Sequence, residues 1–212
     1  RSVSRGLGDV YKRQLATLTP KQFADGCGEV VKHAVIADPE LFAELEKTPL
    51  TLELLNRDVA RVALIIARNI DIKRAVVVAD EHETNQRKLL NFGHSAGHAV
   101  EACEHFELGH GNCVSIGMGI ITRAAALHGV CDAALPGRIE ELCARHGLKT
   151  RCDLDADAVF AEALHDKKRA GGTIDLVIPH GIGRCSIDRT PLSTFHELIA
   201  EGLGQKGDVS AC

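Results

Sequence analysis

The chain has 212 residues, 45% of them apolar, and a formal net charge of −4 at pH 7. This length allows one or two domains with a sizeable core, and the acidic balance gives no general attraction to nucleic acid. No apolar run is as long as a membrane span and no secretory signal is visible, so we expect a cytoplasmic protein without nucleic-acid or membrane partners. Eight cysteines without a CxxC pair are typical of reduced thiols rather than a disulfide framework.

Helical spacing of apolar residues dominates the chain. The first predicted helix follows Thr19, a suitable N-cap, and starts at Pro20, which suits a first helical turn. Further helices are predicted at about 38–45, 56–76, 94–103, 112–128, 136–146, 155–164 and 191–199, with helical spacing also at 87–91 and a solvated turn at 80–85. Segments 173–179 and 183–188 predict a small β-hairpin. The sequence therefore predicts a mainly α-helical fold with one β element and a frayed tail from Gly202.

The first 14 residues differ from the rest of the chain. They carry four basic residues and no apolar periodicity. We interpret residues 1–14 as a non-native segment translated from an adapter, with a genuine basic arm as the alternative. Residues 15–212 are then predicted to form one helical domain that binds a metal and a substrate.

Three histidines and one glutamate suggest a metal site. His94 and His98 are four residues apart, so they share one face of a helix. A catalytic zinc site uses nitrogen and oxygen ligands and keeps one position open. One glutamate and two histidines from the set Glu29, His94, His98 and His110 would meet that requirement. The residues alone do not say which histidine is left out, and ordinary helix-surface or core histidines are the alternative.

Several cations are candidate anion binders. Arginine offers a planar fork to phosphate or carboxylate, and lysine offers a point charge. Most such charges on a protein are simply solvated, but Lys73 interrupts an apolar run at 70–78 and Lys32 lies three residues after Glu29. The full set is Lys32, Lys73, Arg87, Lys167 and Lys168.

Four segments together resemble one known family. They are GCGEVVKHAVIADPELF (26–42), ADEHETNQRKLLNFGHSAGHAVEA (79–102), GHGNCVSIGM (109–118) and HDKKRAGGTIDLVIP (165–179). Their order and content resemble the 3-dehydroquinate synthases, which belong to the sugar-phosphate cyclases. The resemblance spans about residues 15–200 and is to the C-terminal helical domain of a two-domain enzyme. It implies that the N-terminal dinucleotide-binding α/β domain is absent from this chain, and that the chain alone is inactive.

The resemblance also implies roles for individual residues. The metal ligands, for Zn²⁺ or Co²⁺, would be Glu29, His94 and His110. The catalytic residues would be His98, Lys32, Arg87 and Asn91. Lys73, Lys167 and Lys168 would bind the substrate, with one of the last two reaching its phosphate. Leu15, Ala16, Thr17 and Leu18 resemble the segment that contacts NAD.

The implied reaction belongs to the shikimate pathway and to aromatic amino acid biosynthesis. A phosphorylated sugar acid, 3-deoxy-arabino-heptulosonate 7-phosphate, would be oxidised transiently by NAD, lose phosphate, be reduced again and close to 3-dehydroquinate. Alternatives are a cyclase that makes an inosose or a valiolone, a metal-dependent polyol dehydrogenase, and a non-catalytic helical module with a structural metal. A homodimer is left open by the sequence.

Three positions depart from the family pattern. Thr19 stands where proline is usual, with the proline displaced to Pro20. Asn112 stands where an acidic residue is usual, and His33 stands where tyrosine is common. His33 is four residues after Glu29, so it could crowd or supplement the metal site. The simpler interpretation is a histidine on a helix face, and none of the three departures falls on an implied ligand.

Overall fold

The computed structural model describes residues 14–81, 86–165 and 172–205. Within these ranges helix predominates and the strands form one antiparallel hairpin, which confirms the predicted mainly α-helical fold with one small β element. In chain order the elements are α1 (Pro20–Ala37), α2 (Pro39–Lys47), α3 (Leu52–Arg57), α4 (Val59–Ala79), a 3₁₀ helix (Gln86–Asn91), α5 (His94–Cys103), α6 (His110–Leu127), α7 (Leu135–Arg145), α8 (Ala156–His165), β1 (Thr173–Gly181), β2 (Arg184–Pro191) and α9 (Leu192–Leu203).

Polar side chains begin the first helices. The Thr19 hydroxyl accepts from the backbone of Gln22 and the Gln22 side chain accepts from the backbone of Thr19, which is a complete capping box. Pro20 occupies the first turn, so the predicted start of α1 is confirmed. The start of the long helix predicted from about residue 56 is wrong, because residues 52–57 form a separate short helix and the long helix begins at Val59. Asp58 ends α3 and accepts from the backbone N–H of Arg61 at 3.1 Å, so α4 is a separate helix.

Helix α6 is the central element of the fold. Residues 111–122 are buried without interruption, and α6 packs against α1, α5, α7 and α9. Two glycines allow backbone to meet backbone at these contacts. A Cβ on Gly117 would lie 2.0 Å from the carbonyl oxygen of Gly93, and a Cβ on Gly111 would lie 1.9 Å from that of Asp25. Only glycine lets the helices approach so closely.

The β-hairpin closes one side of the helical core. β1 and β2 are antiparallel with Val177 opposite Ile187, and they extend beyond the predicted strand ends. Lys88 in the 3₁₀ helix pairs with Asp175 of β1 at 2.7 Å. The backbone N–H of Gly183, in the turn, donates to the carbonyl of Val35 in α1 at 2.7 Å. The hairpin therefore braces both α1 and the 3₁₀ helix.

The end of the described chain is packed, not frayed, at Gly202. This residue is buried, and a Cβ there would lie 2.3 Å from the carbonyl oxygen of Ile120. The prediction of a frayed tail from Gly202 is therefore wrong for that residue. Residues 206–212 lie outside the described ranges, as do residues 1–13 and residues 82–85 of the predicted turn. In the described part of the chain, no helix combines the length and apolarity needed to cross a membrane.

We predict that Gly117→Ala destabilises the fold. The new methyl group would displace α5 from α6, and overpacking of this kind costs about 1–3 kcal/mol or more. The matched control is Gly137→Ala in α7, where a Cβ meets nothing within 4 Å. That change should be neutral or stabilising by up to about 1 kcal/mol, because alanine is the better helix former. Thermal unfolding of both variants checks this, and equal melting temperatures would contradict it.

We also predict a pH dependence that comes from His146. Its Nε2 accepts from the backbone N–H of Leu50 at 3.0 Å and its Nδ1 donates to the carbonyl of Leu142 at 2.7 Å. Burial lowers the pKa of His146 below its usual value, and the nearby Arg145 charge adds to the effect while the Leu142 bond opposes it.

The folded state therefore binds fewer protons than the unfolded state just below pH 6.5, and the free energy of unfolding should fall as the pH is lowered from there. The slope attributable to one such group is at most about 1.4 kcal/mol per pH unit. Urea unfolding at several pH values should give a flatter profile for His146→Gln than for the wild type. Parallel profiles would contradict the assignment.

Candidate metal and substrate site

Two helix N-termini and one helix side meet at the predicted site. His94 is the first residue of α5 and His110 the first of α6. Gly93 and Gly109 precede them with φ of 77° and 97°, in a region that L side chains rarely adopt. α1 contributes Glu29 from the adjacent side, since a Cβ on Gly28 would lie 2.6 Å from the carbonyl oxygen of Gly111.

A residue of another helix caps the start of α6. Gly109 offers no side-chain cap, and the Asp25 carboxylate of α1 accepts from the backbone N–H of Asn112 at 3.0 Å. The Asn112 side chain is buried and accepts from the backbone N–H of Lys149 at 3.0 Å. In this chain Asn112 therefore ties the beginning of α6 to the segment after α7.

The three predicted histidines form a cluster. The ring centroids of His94 and His98 are 5.3 Å apart, those of His94 and His110 are 5.3 Å apart, and those of His98 and His110 are 5.6 Å apart. One ring nitrogen from each lies within 4.8 Å of the others. The predicted shared helix face of His94 and His98 is thus confirmed, and position alone does not remove His98 from the ligand set.

Hydrogen bonds assign the tautomers of two of these rings. His94 Nδ1 lies 3.2 Å from the carbonyl oxygen of Phe92, and His110 Nδ1 lies 3.3 Å from Oε2 of Glu101. A carbonyl and a carboxylate can only accept, so each Nδ1 carries the hydrogen. Each Nε2 therefore presents a lone pair, which is the form that binds a metal ion.

Glu29 places one carboxylate oxygen beside His94. Its Oε2 accepts from Nζ of Lys32 at 2.6 Å, whereas its Oε1 is buried and accepts no hydrogen bond from any described residue. Oε1 lies 3.6 Å from Nε2 of His94. Two ligands of one tetrahedral zinc ion, each bound at about 2.0–2.2 Å, are roughly 3.3–3.6 Å apart. The spacing of Glu29 Oε1 and His94 Nε2 therefore fits two ligands of one divalent cation, and the three histidines beside them form a group that could hold such an ion.

Charge in the site is set by burial and by Lys32. Burial lowers the pKa of His94 to about 4, and the Lys32 charge adds to the effect, so the ring is neutral at pH 7. Burial alone would raise the pKa of Glu29, but the charge and hydrogen bond of Lys32 bring that pKa below its usual value. Burial lowers the pKa of Lys32 itself, although Glu29 opposes this. An anionic carboxylate thus faces a neutral imidazole.

A cleft of about 230 Å³ lies beside this pair, and most of its lining was predicted from the sequence. Lys73 is an exposed residue of α4, while Arg87 and Asn91 belong to the 3₁₀ helix. Arg87 is positioned by its backbone N–H, which donates to Asp80 at 3.1 Å, and by its Nη1, which donates to the carbonyl of Glu81 at 2.8 Å. The lining residues are Glu29, Lys32, His33, Lys73, Arg87, Leu90, Asn91 and His94.

His33 also lines the cleft, whereas its spacing from Glu29 favours a histidine on a helix face. That interpretation is wrong, because its side chain is only 7% exposed and its Nδ1 donates to Oδ1 of Asn69 in α4 at 2.8 Å. Asn69 is oriented in turn by its Nδ2, which donates to the carbonyl of Ile65 at 3.1 Å. His33 Nε2 lies 4.0 Å from Oε2 of Glu29. The sequence feature that could have indicated this contact is Asn69, a polar residue within the apolar stripe of its helix.

Other predicted residues lie away from the described cleft or outside the described ranges. Leu15 and Leu18 pack on the hydrophobic core, whereas Ala16 and Thr17 are exposed. These four do not line the cleft, and their contact with NAD stays a prediction. Lys167 and Lys168 lie outside the described residues.

Comparisons with known proteins identify the family of this chain. Residues 26–169 match a family model described as 3-dehydroquinate synthase C-terminal. The chain is 36% identical over 187 residues to a 3-dehydroquinate synthase of Streptococcus suis strain 05ZYH33, covering 87% of this chain and 52% of the relative. It is 38% identical over 179 residues to one of Acetivibrio thermocellus, covering 82% and 49%. The chain thus spans about half the length of the curated relatives it matches.

Two solved structures share the fold. One is the 2-epi-5-epi-valiolone synthase ValA of Streptomyces hygroscopicus with NAD⁺ and Zn²⁺ bound, at TM-score 0.77 and 25% identity, covering 91% of this chain and 54% of that one. The other is a 2-deoxy-scyllo-inosose synthase complexed with carbaglucose-6-phosphate, NAD⁺ and Co²⁺, at TM-score 0.72 and 22% identity, covering 91% and 55%.

We predict that Glu29, and not His98, is the third metal ligand. In the 212-residue chain, Glu29→Gln should keep the shape of the side chain but lose the charge that faces His94, and Co²⁺ affinity should fall at least about 100-fold, since an anionic ligand is removed. His98→Asn should retain Co²⁺ within a few-fold. Titration followed by Co²⁺ absorption measures both. Loss of Co²⁺ from His98→Asn with retention by Glu29→Gln would instead establish a three-histidine site.

Proposed function

The chain belongs to the family described as 3-dehydroquinate synthase C-terminal, and we propose that it is the metal- and substrate-binding half of a 3-dehydroquinate synthase. The proposed enzyme is an NAD- and metal-dependent carbon-oxygen lyase that converts 3-deoxy-arabino-heptulosonate 7-phosphate to 3-dehydroquinate and phosphate. The observation that carries the proposal is the unbonded Glu29 Oε1, 3.6 Å from His94 Nε2, beside a cleft lined by Lys32, Lys73 and Arg87.

The proposed ligand set is Glu29, His94 and His110. A divalent cation at this site would supply Lewis-acid polarisation of substrate hydroxyl and carbonyl oxygens, while NAD would supply the transient oxidation. Lys32 holds the Glu29 carboxylate in place through its 2.6 Å hydrogen bond. Because Lys32 is only 2% exposed, its charge acts through little solvent on groups in the cleft.

The cleft is suited to a substrate with more than one anionic group. Arg87 is held at the backbone and at one guanidinium nitrogen, so its fork is pre-oriented toward a carboxylate or phosphate. Lys73 adds a cation from α4 on the same cleft. A heptulosonate phosphate carries a carboxylate and a phosphate, which is what this distribution of charge favours.

His98 is proposed to move a proton. Its ring lies 5.3 Å from that of His94 and 5.6 Å from that of His110, close to the metal-ligand set but separate from it in the proposed assignment. A histidine has a reference pKa of about 6.5, which suits proton transfer near neutral pH. Asn91, on the cleft wall, would fix a substrate hydroxyl by hydrogen bonding.

A second candidate is another sugar-phosphate cyclase. The likeness to a valiolone synthase favours this candidate, because that enzyme shares the fold at TM-score 0.77 and binds NAD⁺ and Zn²⁺. The two candidates differ in whether the substrate carries a carboxylate. An assay of the complete gene product for phosphate release, with the heptulosonate phosphate and with a sugar phosphate that lacks a carboxylate, separates them. Turnover of only the second substrate would replace the proposal.

We predict a specific effect of Lys73→Ala in the complete enzyme. Loss of one charged contact to the substrate should lower kcat/KM about 10- to 100-fold, because such bonds contribute about 1.5–3 kcal/mol. The matched control is Arg74→Ala, the next residue, whose exposed side chain pairs with Asp71 and does not line the cleft. That variant should keep the wild-type kcat/KM. Equal losses in both variants would argue against a substrate contact by Lys73.

A further inference from the structure

Glu101 is an acidic residue of α5 that the reaction described above leaves without a role. It lies seven residues after His94 and three after His98, so it shares their side of the helix. Its side chain is 18% exposed, and its Oε2 lies 3.3 Å from Nδ1 of His110 at the start of α6. One helix therefore contributes His94 to the site and also holds the histidine that comes from the next helix.

His110 needs such a partner more than His94 does. The His110 side chain is 43% exposed, whereas that of His94 is 15% exposed. An imidazole that is this exposed can rotate about its Cβ–Cγ bond and can carry its hydrogen on either nitrogen. His94 is fixed by the Phe92 carbonyl within its own turn. Among the described residues no backbone carbonyl bonds to the His110 ring, and its Nδ1 donates to Glu101.

The geometry excludes Glu101 from the metal-ligand set itself. Its oxygen meets the Nδ1 side of the His110 ring, which is the side away from Nε2. A metal ion bound at Nε2 is therefore out of reach of this oxygen. Glu101 is instead placed where a carboxylate keeps the hydrogen of an imidazole on Nδ1, leaves the lone pair on Nε2 and makes the ring a more basic ligand.

We propose that Glu101 is a positioning residue for His110, fixing its tautomer and its ring orientation. This inference rests on the proposed function, because it takes His110 as a metal ligand. It concerns a residue that touches neither substrate nor metal and acts only through His110.

Two measurements on the metal-free and Co²⁺-loaded 212-residue chain test the proposal. Glu101→Ala should weaken Co²⁺ binding about 10- to 100-fold, as loss of such a partner does at other metal sites. Nitrogen NMR of the metal-free protein should show the hydrogen of His110 on Nδ1 in the wild type and redistributed toward Nε2 in Glu101→Ala. A residue with a merely structural role would move neither the tautomer nor the affinity.

Glu101→Gln provides the conservative comparison. Its amide oxygen can still accept from Nδ1 but carries no charge, so the variant should keep the tautomer and recover part of the affinity. If Glu101→Ala does not fold, the same two measurements are made on Glu101→Gln. The matched control is Glu104→Ala, one turn further along the chain, which should bind Co²⁺ as the wild type does.

His110→Ala separates this inference from the ligand assignment. If His110→Ala loses Co²⁺ but Glu101→Ala and Glu101→Gln bind it as the wild type does, the positioning role is overturned and the ligand set stands. If His110→Ala also binds Co²⁺ normally, the ligand assignment fails and the role of Glu101 fails with it. Reduced affinity in Glu101→Ala with a redistributed tautomer supports the proposal.

Discussion

The site depends on two acceptor atoms that face each other. Glu29 Oε1 and His94 Nε2 are 3.6 Å apart, with no hydrogen between them, because His94 carries its hydrogen on Nδ1 and burial lowers its pKa to about 4. Two facing lone pairs repel, and the Oε1 atom of Glu29 is itself shielded from solvent. A divalent cation between them converts the repulsion into two ligand bonds. The arrangement is thus stable when a metal ion is bound and costly without one.

The helix packing explains how such a pair is held together. Glu29 comes from α1 and His94 from α5, and both helices touch α6 through glycines that admit no Cβ. These contacts lie within one or two turns of the ligand residues, so a small displacement of either helix changes the distance between the two acceptors. Asp25 and Asn112 further fix the start of α6, where His110 stands. Rigid backbone contacts therefore supply the precision that a metal site needs.

Contacts within one helix could be predicted from residue spacing, whereas contacts between helices could not. The grouping of Glu29 with the histidines rested on residue type and on the family resemblance. The shared face of His94 and His98 and the Glu29–Lys32 pair follow from spacings of four and three residues, and both are present. The bonds of His33 to Asn69 and of His110 to Glu101 join different helices. They depend on helix rotation and separation, which the glycine contacts set and which periodicity does not encode. The break at Asp58 was missed because apolar spacing continues across it.

The most direct test is a crystal structure of the Co²⁺-loaded chain with anomalous diffraction measured at the cobalt edge. We expect one peak between Glu29 and His94, within about 2.0–2.2 Å of Glu29 Oε1 and of the Nε2 atoms of His94 and His110. Lys32 should remain on the other carboxylate oxygen of Glu29. A peak held by His94, His98 and His110 with Glu29 unligated, or no peak at this position, would contradict it.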